Sequence, residues 1–212
     1  MKKFFLIVFI FRFSLFGFCQ SEGKHHYTDQ EVTKLTGYIT DLEKKIVTGK
    51  VASGLPVDKK QITTLLTDSS HNYSDDDVIR IFKYIKDLEK IESVSNSVVV
   101  TAAVKKNDTL IETKEMTYLL VKGKVNFEDS LSGKKYSDII ITVTDKLSSQ
   151  LVGIYTPNSK TGKYIFILNS GIKYVVEAEA IGYRMYSEDF SPEFKPESYE
   201  MTQEITLKKE NK

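Results

Sequence analysis

The sequence predicts an α+β protein in which a small helical repeat of about three helices precedes an antiparallel β-sandwich of seven to eight strands. Apolar residues recur at three- and four-residue steps between residues 27 and 92. From Ser97 onward, short runs of β-branched and aromatic residues alternate with turn-forming clusters. The predicted organisation is a signal peptide at residues 1–19, a helical domain at residues 20–95 and a β-sandwich at residues 96–212.

The N-terminus has the features of a cleaved secretory signal peptide. Two lysines precede an apolar run, and Gly17 and Cys19 lie at the two positions that a signal peptidase reads. A lipid anchor at Cys19 is one alternative, which the bulky Phe18 before it disfavours. An uncleaved membrane anchor is another, but the apolar run is short and is interrupted by Arg12. We therefore predict an exported protein, periplasmic or associated with an outer membrane.

The composition argues against several classes of function. Cleavage after Cys19 would remove the one cysteine of the chain, and with it any disulfide or cysteine-based metal site. It would also change the formal net charge from +1 to about −2, since three cations are lost. No polybasic surface remains to indicate nucleic acid as a partner. An apolar content of 41% is sufficient for a real core.

A duplication organises the predicted helical domain. Residues 27–46 align with residues 73–92 at an offset of 46 without a gap, and nine of the twenty aligned pairs are identical. Two copies are too few for a solenoid, so we predict a duplicated helical unit. The identical pairs are Tyr27/Tyr73, Asp29/Asp75, Val32/Val78, Tyr38/Tyr84, Ile39/Ile85, Asp41/Asp87, Leu42/Leu88, Glu43/Glu89 and Lys44/Lys90.

Each copy carries an apolar stripe that is typical of an amphipathic helix. A third, shorter stripe lies between the copies, after a stretch at residues 48–56 that contains two glycines and a proline. The three stripes predict three helices that pack as a small bundle. They are Val32, Leu35, Ile39, Leu42 and Ile46; Ile62, Leu65 and Leu66; and Val78, Ile81, Phe82, Ile85 and Leu88.

A capping box is predicted at the start of each helix. In this motif a hydroxyl or carboxylate accepts from a free backbone N–H, and a second polar side chain three residues later reaches back. The three pairs are Thr28 with Glu31, Asp58 with Gln61 and Ser74 with Asp77.

Polar residues that recur in both copies are candidates for a partner-binding face. Exposed positions are free to differ between two copies of a unit, so identical polar residues suggest a shared role. The candidate partner face comprises Asp41, Glu43, Lys44, Asp87, Glu89 and Lys90.

No cofactor or metal site is predicted. Residues 68–79 resemble a calcium loop in composition, but Tyr73 and Ile79 occupy the positions where an EF-hand needs glycine and glutamate. The acidic run at residues 75–77 is better explained as negative charge at a helix N-terminus. His25 and His26 lie near the mature terminus, where residues are usually mobile, and are predicted to be exposed to solvent.

The C-terminal half predicts strands split by turn clusters. Spacing of this kind is typical of a sandwich or barrel. Residues 97–104, rich in valine, begin the region, and seven further runs follow. These runs are residues 118–127, 138–145, 150–156, 163–168, 173–180, 184–190 and 200–209.

One motif in this half comprises Gly123, Val125, Gly162, Tyr164, Leu168, Gly171, Tyr174, Ala180, Gly182 and Tyr183. On this motif, residues 118–209 resemble the carboxypeptidase regulatory-like domain, a transthyretin-type β-sandwich. The resemblance implies a sandwich fold. The segment is similar to versions of this domain in cell-envelope proteins of Bacteroidota, including OmpA-like and type IX secretion-associated proteins. The resemblance implies little about activity, because one sandwich supports many functions.

The residues of this motif also have a physical reading of their own. Gly162 and Gly171 bracket a strand where the chain must turn, which favours a positive φ. Tyr164 and Tyr174 can bury their rings while their hydroxyls reach a partner at the rim. Core packing is therefore the expected role of these tyrosines.

No catalytic residue is predicted. The chain contains neither a Gly-x-Ser-x-Gly nucleophile turn nor a His-x-x-Glu pair, although a carboxylate pair remains possible among 29 acidic residues. We expect a non-enzymatic envelope adaptor that binds a larger outer-membrane secretion, assembly or transport complex. The alternative is a carbohydrate- or peptidoglycan-binding module, which the lack of tryptophan weakens.

Overall fold

A computed structural model describes residues 23–48, 56, 58–99, 116–128 and 136–210. The predicted signal peptide and Cys19 lie outside these residues, as does most of the glycine-containing break at residues 48–56. The predicted α+β class is confirmed, with three helices and nine strands in the described part. No helix in the described ranges is long and apolar enough to cross a membrane.

The elements follow the order β1, α1, α2, β2, α3 and then β3 to β9. The helices are α1 (Asp29–Thr48), α2 (Lys59–Leu66) and α3 (Asp75–Val99). The strands are β1 (Lys24–Tyr27), β2 (Asn72–Ser74), β3 (Tyr118–Phe127), β4 (Ile140–Asp145), β5 (Leu151–Thr156), β6 (Lys163–Asn169), β7 (Tyr174–Glu179), β8 (Tyr186–Phe190) and β9 (Tyr199–Leu207).

Two sheets form the sandwich. The larger sheet has the order β2-β1-β5-β4-β7-β8, and the smaller has the order β6-β3-β9. The strand pairs are antiparallel except β3 with β9, which run parallel from Leu119 beside Tyr199 to Phe127 beside Leu207. Successive side chains of a strand point to opposite faces, so alternate residues of β7, for example, are buried between the sheets.

The predicted helical segment contributes two strands to the larger sheet. β1 pairs with β5 from Lys24 beside Thr156 to Tyr27 beside Gly153, and β2 pairs with the other edge of β1. The predicted boundary after residue 95 lies inside α3, and the strand expected at residues 97–104 is helical as far as Val99. The helical repeat and the sandwich therefore share one sheet.

The predicted apolar stripes are buried on α1 and α3. Each stripe residue of these two helices is at most 5% exposed, and on α2 Ile62 and Leu66 are buried while Leu65 is half-buried. The long stripes bury enough apolar surface to fix both helices, because each fully buried aliphatic side chain contributes about 1.5–3 kcal/mol.

The three predicted capping boxes have three different outcomes. Ser74 and Asp77 form the complete box, since each backbone N–H donates to the side chain of the other. At α1 the Glu31 N–H donates to Thr28 Oγ1, but the Thr28 N–H donates to the carbonyl of Val152 in place of Glu31. Asp58 makes no side-chain cap, so that prediction is wrong.

The motif glycines and tyrosines adopt the predicted roles. Gly162 and Gly171 have φ values of 69° and 75°, and Gly182 has a φ of 81°. The Tyr164 ring lies over Gly123 on the neighbouring strand, and its hydroxyl donates to the carbonyl of Gln203. Two further motif tyrosines, Tyr174 and Tyr183, are also buried.

Candidate functional site

The two copies of the repeat contact each other about a local twofold axis. In the β1–β2 ribbon, His26 lies directly opposite Asn72, which is the equivalent position of the second copy. In a twofold arrangement, a contact from residue i of one copy to residue j of the other must recur with the roles exchanged. The chain shows this pattern twice, once at the start of the helices and once along them.

The first reciprocal pair joins histidines to aspartates. His25 Nε2 lies 2.6 Å from Asp75 Oδ1, and His71 Nδ1 lies 3.0 Å from Asp29 Oδ1. His25 and His71 are themselves separated by the repeat offset, so the repeat begins before Tyr27.

The prediction that His25 is exposed to solvent is wrong, whereas His26 is exposed as predicted. His25 is 0% exposed, because β1 is inserted between β2 and β5 and alternate side chains of β1 point into the core. The imidazole also packs against the ring of Tyr155.

Asp75 is the more buried aspartate of the two pairs. Burial opposes ionisation of Asp75, but the hydrogen bond and charge of His25, together with the Gly23 N–H, outweigh burial and hold its pKa below the usual value. By contrast, the side chain of Asp29 is 97% exposed. Asp75, at the start of α3, therefore holds the N-terminal strand β1 in place.

The second reciprocal pair joins tyrosines to glutamates. The Tyr38 hydroxyl donates to Glu89 Oε1 at 2.6 Å, and the Tyr84 hydroxyl donates to Glu43 Oε1 at 2.6 Å. Burial, reinforced by the carboxylates, raises the pKa of both tyrosines well above its ordinary value. Four residues that are identical between the copies thus hold α1 against α3.

The two glutamates differ in what else they bind. Glu89 accepts from both the hydroxyl and the backbone N–H of Ser198, at 2.6 Å and 3.0 Å, directly before β9. Glu43 accepts from Lys59 Nζ at 2.6 Å, at the start of α2. The second copy is therefore bonded to the sandwich and the first copy to α2.

The helical layer also covers the open edge of β6. The backbone N–H of Ile167 donates to the Tyr27 hydroxyl at 2.8 Å, and Asn169 Nδ2 lies 3.4 Å from Glu31 Oε2. The rings of Tyr38 and Tyr118 lie 5.1 Å apart. The first of these contacts gives one free backbone N–H of the edge strand a partner, whereas the other two are made by side chains of β6 and β3.

The candidate partner face is divided by these contacts. Glu43 and Glu89 are engaged within the chain, so their recurrence is explained without a partner. Among the other four positions, Asp41, Lys44 and Lys90 are exposed and Asp87 is half-buried. Whether the repeated polar residues bind a partner stays a prediction.

A groove of about 600 Å³ lies along one side of α1 and is also lined by Met116, which precedes β3. Gly37 is part of its lining, and among the described residues no atom lies within 4 Å of the position that a Cβ of residue 37 would occupy. Sequence reasoning did not identify this groove, although a glycine inside a helix, aligned with Lys83 of the second copy, was a visible signal. The groove is lined by Lys34, Gly37, Tyr38, Asp41, Leu42, Lys44, Lys45, Thr48 and Met116.

Chemistry-bearing side chains are not assembled into a metal centre within the described ranges, where no group of three His, Cys, Asp or Glu residues could hold an ion. The buried histidine–carboxylate pair, His25 with Asp75, is closed to solvent on the imidazole side. That pair serves to join β1 to α3.

Comparisons with known proteins gave structural likeness alone. No family model and no curated protein matches the chain. Among solved structures, the Bacillus anthracis TIE protein matches at 16% identity with a TM-score of 0.32, over 43% of this chain and 16% of its own. Catechol 1,2-dioxygenase from Acinetobacter sp. ADP1 matches at 9% identity with a TM-score of 0.31, over 47% of this chain and 55% of its own.

A further match, 3-chlorocatechol 1,2-dioxygenase from Rhodococcus opacus, has 10% identity and a TM-score of 0.32, over 85% of this chain and 99% of its own. The chain spans 16% and 55% of the lengths of the TIE protein and the Acinetobacter enzyme. Likeness at these TM-scores carries no argument about fold or activity.

Proposed function

We propose that this chain is a non-enzymatic accessory protein of the cell envelope, which binds a protein partner through the groove along α1. The observation that carries the proposal is the groove along α1, which Gly37 helps to line. Two of the repeated polar residues, Asp41 and Lys44, lie in its lining. A concave surface with an apolar floor and charged rim residues is the usual form of a binding site.

The chemistry of the described residues supports binding over catalysis. General acid–base work needs a titratable group within reach of a substrate. His25 is closed to solvent, and Glu43 and Glu89 already accept hydrogen bonds from tyrosine hydroxyls. The groove itself contains lysines, one aspartate and apolar side chains.

A protein partner is favoured over a glycan. Modules that bind sugars stack them on exposed aromatic rings, and tryptophan, the best such ring, does not occur in the sequence. Throughout the described part of the chain, the exposed large apolar side chains are aliphatic, with Leu147 and Ile181 the most exposed.

The envelope assignment is supported by the sequence features of residues 1–19 and by the resemblance to the regulatory-like sandwich of envelope proteins. The partner in this proposal is a larger outer-membrane secretion, assembly or transport complex. The role of the chain is to present α1 from a sandwich whose core fixes the helix in place.

A pull-down with matched variants tests the proposal. The chain carrying a C-terminal tag is used to capture proteins from solubilised envelopes of its own organism. We expect the double charge reversal Asp41→Lys with Lys44→Glu to abolish capture. The same exchange on the second copy, Asp87→Lys with Lys90→Glu, is the control and should leave capture intact. Unchanged capture by the first variant would overturn the proposal, as would glycan binding without any protein partner.

A further inference from the structure

The larger sheet of the sandwich has a face that points away from the core. Burial alternates along β1, β4 and β7, so that inward side chains are buried and outward ones are half-buried or exposed. At the centre of this face Ile140 is 49% exposed and Ile154 is 39% exposed. Within the described part of the chain, no element therefore covers these two side chains. The outward side chains of β1, β5, β4 and β7 form this outer face.

The first row of the outer face crosses four strands from a cation to an anion. Lys24 of β1 lies beside Thr156 of β5, and Ile140 of β4 lies beside Glu179 of β7. The residue after Ile140 is opposite the residue before Thr156, so these two side chains are neighbours across β4 and β5. In spatial order the row is therefore Lys24, Thr156, Ile140 and Glu179.

The second row lies two residues further along each strand and repeats this order of chemistry. His26 lies beside Ile154. Thr142 lies between Ile154 and Glu177. The row thus has an imidazole at the β1 end, two β-branched side chains in the middle and a carboxylate at the β7 end.

The charged side chains at the ends of the rows have no internal partner. Among the described residues, no ion pair or hydrogen bond engages the side chain of Lys24, Glu177 or Glu179. Asp75, which follows the residue paired with Lys24, is bonded on the core side to buried His25 and begins a helix whose N-terminus is itself positive. The outer face is therefore positive over β1 and negative over β7.

A second copy of the chain is complementary to this pattern when the twofold axis lies between β5 and β4 and runs parallel to them. Such an axis sets each row against the same row of the second copy in reverse order. Lys24 then faces Glu179 of the second copy, and the same contact recurs with the roles exchanged. In the other row the imidazole of His26 faces the carboxylate of Glu177, to which it can donate a hydrogen bond. The β-branched side chains meet between these ends, as in aligned sheets that pack about 10 Å apart.

The charge pattern also argues against the other symmetric arrangement of two outer faces. A twofold axis perpendicular to the strands would place β1 against β1 and β7 against β7. Lys24 would then face Lys24, and Glu179 would face Glu179. Like charges brought together across an interface disfavour association, so the axis parallel to the strands is selected.

We infer that the outer face binds a second copy of the chain, which gives a twofold dimer with the two larger sheets packed face to face. The inference uses no residue of the groove along α1 and goes beyond the proposed function. Four strands about 4.8 Å apart and five residues at about 3.3 Å give roughly 300 Å² of sheet per copy, against roughly 800 Å² per partner in stable complexes. We therefore expect a weak dimer that forms at high protein concentration.

Sedimentation velocity of the protein purified from cells, from about 10 μM to about 1 mM, tests the inference. We expect a monomer at the low end of this range and a dimer at the high end. Salt should favour dissociation, because it screens exposed charges. A chain that stays monomeric throughout the range would overturn the inference.

Charge-reversal variants test the arrangement of the two copies. Lys24→Glu and Glu179→Lys each place like charges opposite one another twice in the dimer, so each should raise the dissociation constant at least about tenfold. An equimolar mixture of the two variants should recover a dimer at least as tight as that of the parent, because every altered side chain then faces the opposite charge. Failure of the mixture to associate would overturn the inference.

Lys83→Glu is the matched control, since it changes the net charge as Lys24→Glu does and Lys83 is exposed on α3, which is not part of the outer face. It should dimerise as the parent does. Every variant should keep the circular dichroism and the Tm of the parent, because the altered side chains are exposed, so loss of the dimer is distinguished from unfolding. Equal weakening by Lys83→Glu would show that association depends on net charge alone and would contradict the inference.

Discussion

The hydroxyl of Tyr38 on the first copy donates to the carboxylate of Glu89 on the second, and the equivalent Tyr84 donates to Glu43 on the first. Each bond is 2.6 Å long. The arrangement is that of a symmetric dimer interface built within one chain, in which one pair of residues makes two equivalent contacts. Duplication of a strand and a helix thus produced both sides of an interface at once, and the contacts between the copies account for the identity of these four residues.

The two tyrosine–glutamate pairs are predicted to contribute differently to the free energy of unfolding. Glu89→Ala leaves three donors without an acceptor, namely the Tyr38 hydroxyl and the two donors of Ser198. We expect it to lower the free energy of unfolding by about 3 kcal/mol, against about 1 kcal/mol for Glu43→Ala, whose second partner is an exposed lysine. Urea denaturation of both variants measures the difference.

A double-mutant cycle supplies the control for the pair of Tyr38 and Glu89. Tyr38→Phe removes one donor, so its effect and that of Glu89→Ala should not add. Additive effects would show that the hydrogen bond contributes nothing to stability. Equal losses for Glu89→Ala and Glu43→Ala would show that the bonds to Ser198 are unimportant.

The Asp75 carboxylate is predicted to stabilise the protein only above acidic pH. Its pKa in the folded protein lies below the ordinary aspartate value of 3.8, so the folded state favours the charged form. Its contribution is therefore fully present above the unfolded pKa and is lost as pH falls through the folded pKa. We expect Asp75→Asn to cost about 1 kcal/mol near neutral pH and nothing measurable in strong acid, as judged by denaturation at a series of pH values.

Asp29→Asn is the matched control, because Asp29 holds the equivalent position with its side chain open to solvent. It should lower the free energy of unfolding by clearly less than Asp75→Asn does near neutral pH, because an exposed pair contributes little. A loss from Asp29→Asn as large as that from Asp75→Asn would contradict the assignment of the anchor to the buried pair.

Periodicity predicted most of the fold, and the reasons for its failures are local. The stripes on α1 and α3 and seven of the nine strands were visible because each covers at least five residues with a regular pattern. β1 and β2 have four and three residues, of which Tyr27 and Tyr73 are the most apolar. Segments this short carry no readable alternation. β1 also pairs with β5, which lies far along the chain, and β2 pairs with β1.

The candidate site was predicted in part for a related reason. The repeat showed which polar residues recur, but a polar residue between two helices has the same sequence pattern as one that faces solvent. Only the packing of α1 against α3 separates Glu43 and Glu89, which are bonded internally, from exposed Asp41 and Lys44. The groove at Gly37 exists because no other described element packs beside that part of α1. A local sequence pattern carries no information about such packing.

Tyrosine ionisation is predicted to be coupled to unfolding in alkali. Burial, the largest cause in each case, raises the pKa of eight of the twelve tyrosines, and that of Tyr73 reaches about 12. Because these values exceed the unfolded value near 10, the stabilisation is present below pH 10 and is lost as pH rises further. Ultraviolet absorption should show these phenols ionising in one step that coincides with loss of circular dichroism.

The denatured chain is the reference for this titration, and its twelve tyrosines should titrate together near pH 10. Smooth ionisation of all twelve near that pH in the folded protein would contradict the burial of the tyrosines at the junction of helices and sandwich.

Substitution by alanine is expected to have opposite effects at two glycines that differ in their surroundings. At Gly123 a Cβ would collide with the carbonyl oxygen of Gln203 on β9 and with the ring of Tyr164 on β6. The carbonyl belongs to a paired strand and cannot move away, so Gly123→Ala should destabilise the protein by about 3 kcal/mol or prevent folding. Gly37→Ala meets no atom within 4 Å and should stabilise it by about 0.5–1 kcal/mol, because alanine favours a helix. Thermal and urea denaturation of the two variants measure both effects, and a destabilised Gly37→Ala would show that the space beside α1 is filled.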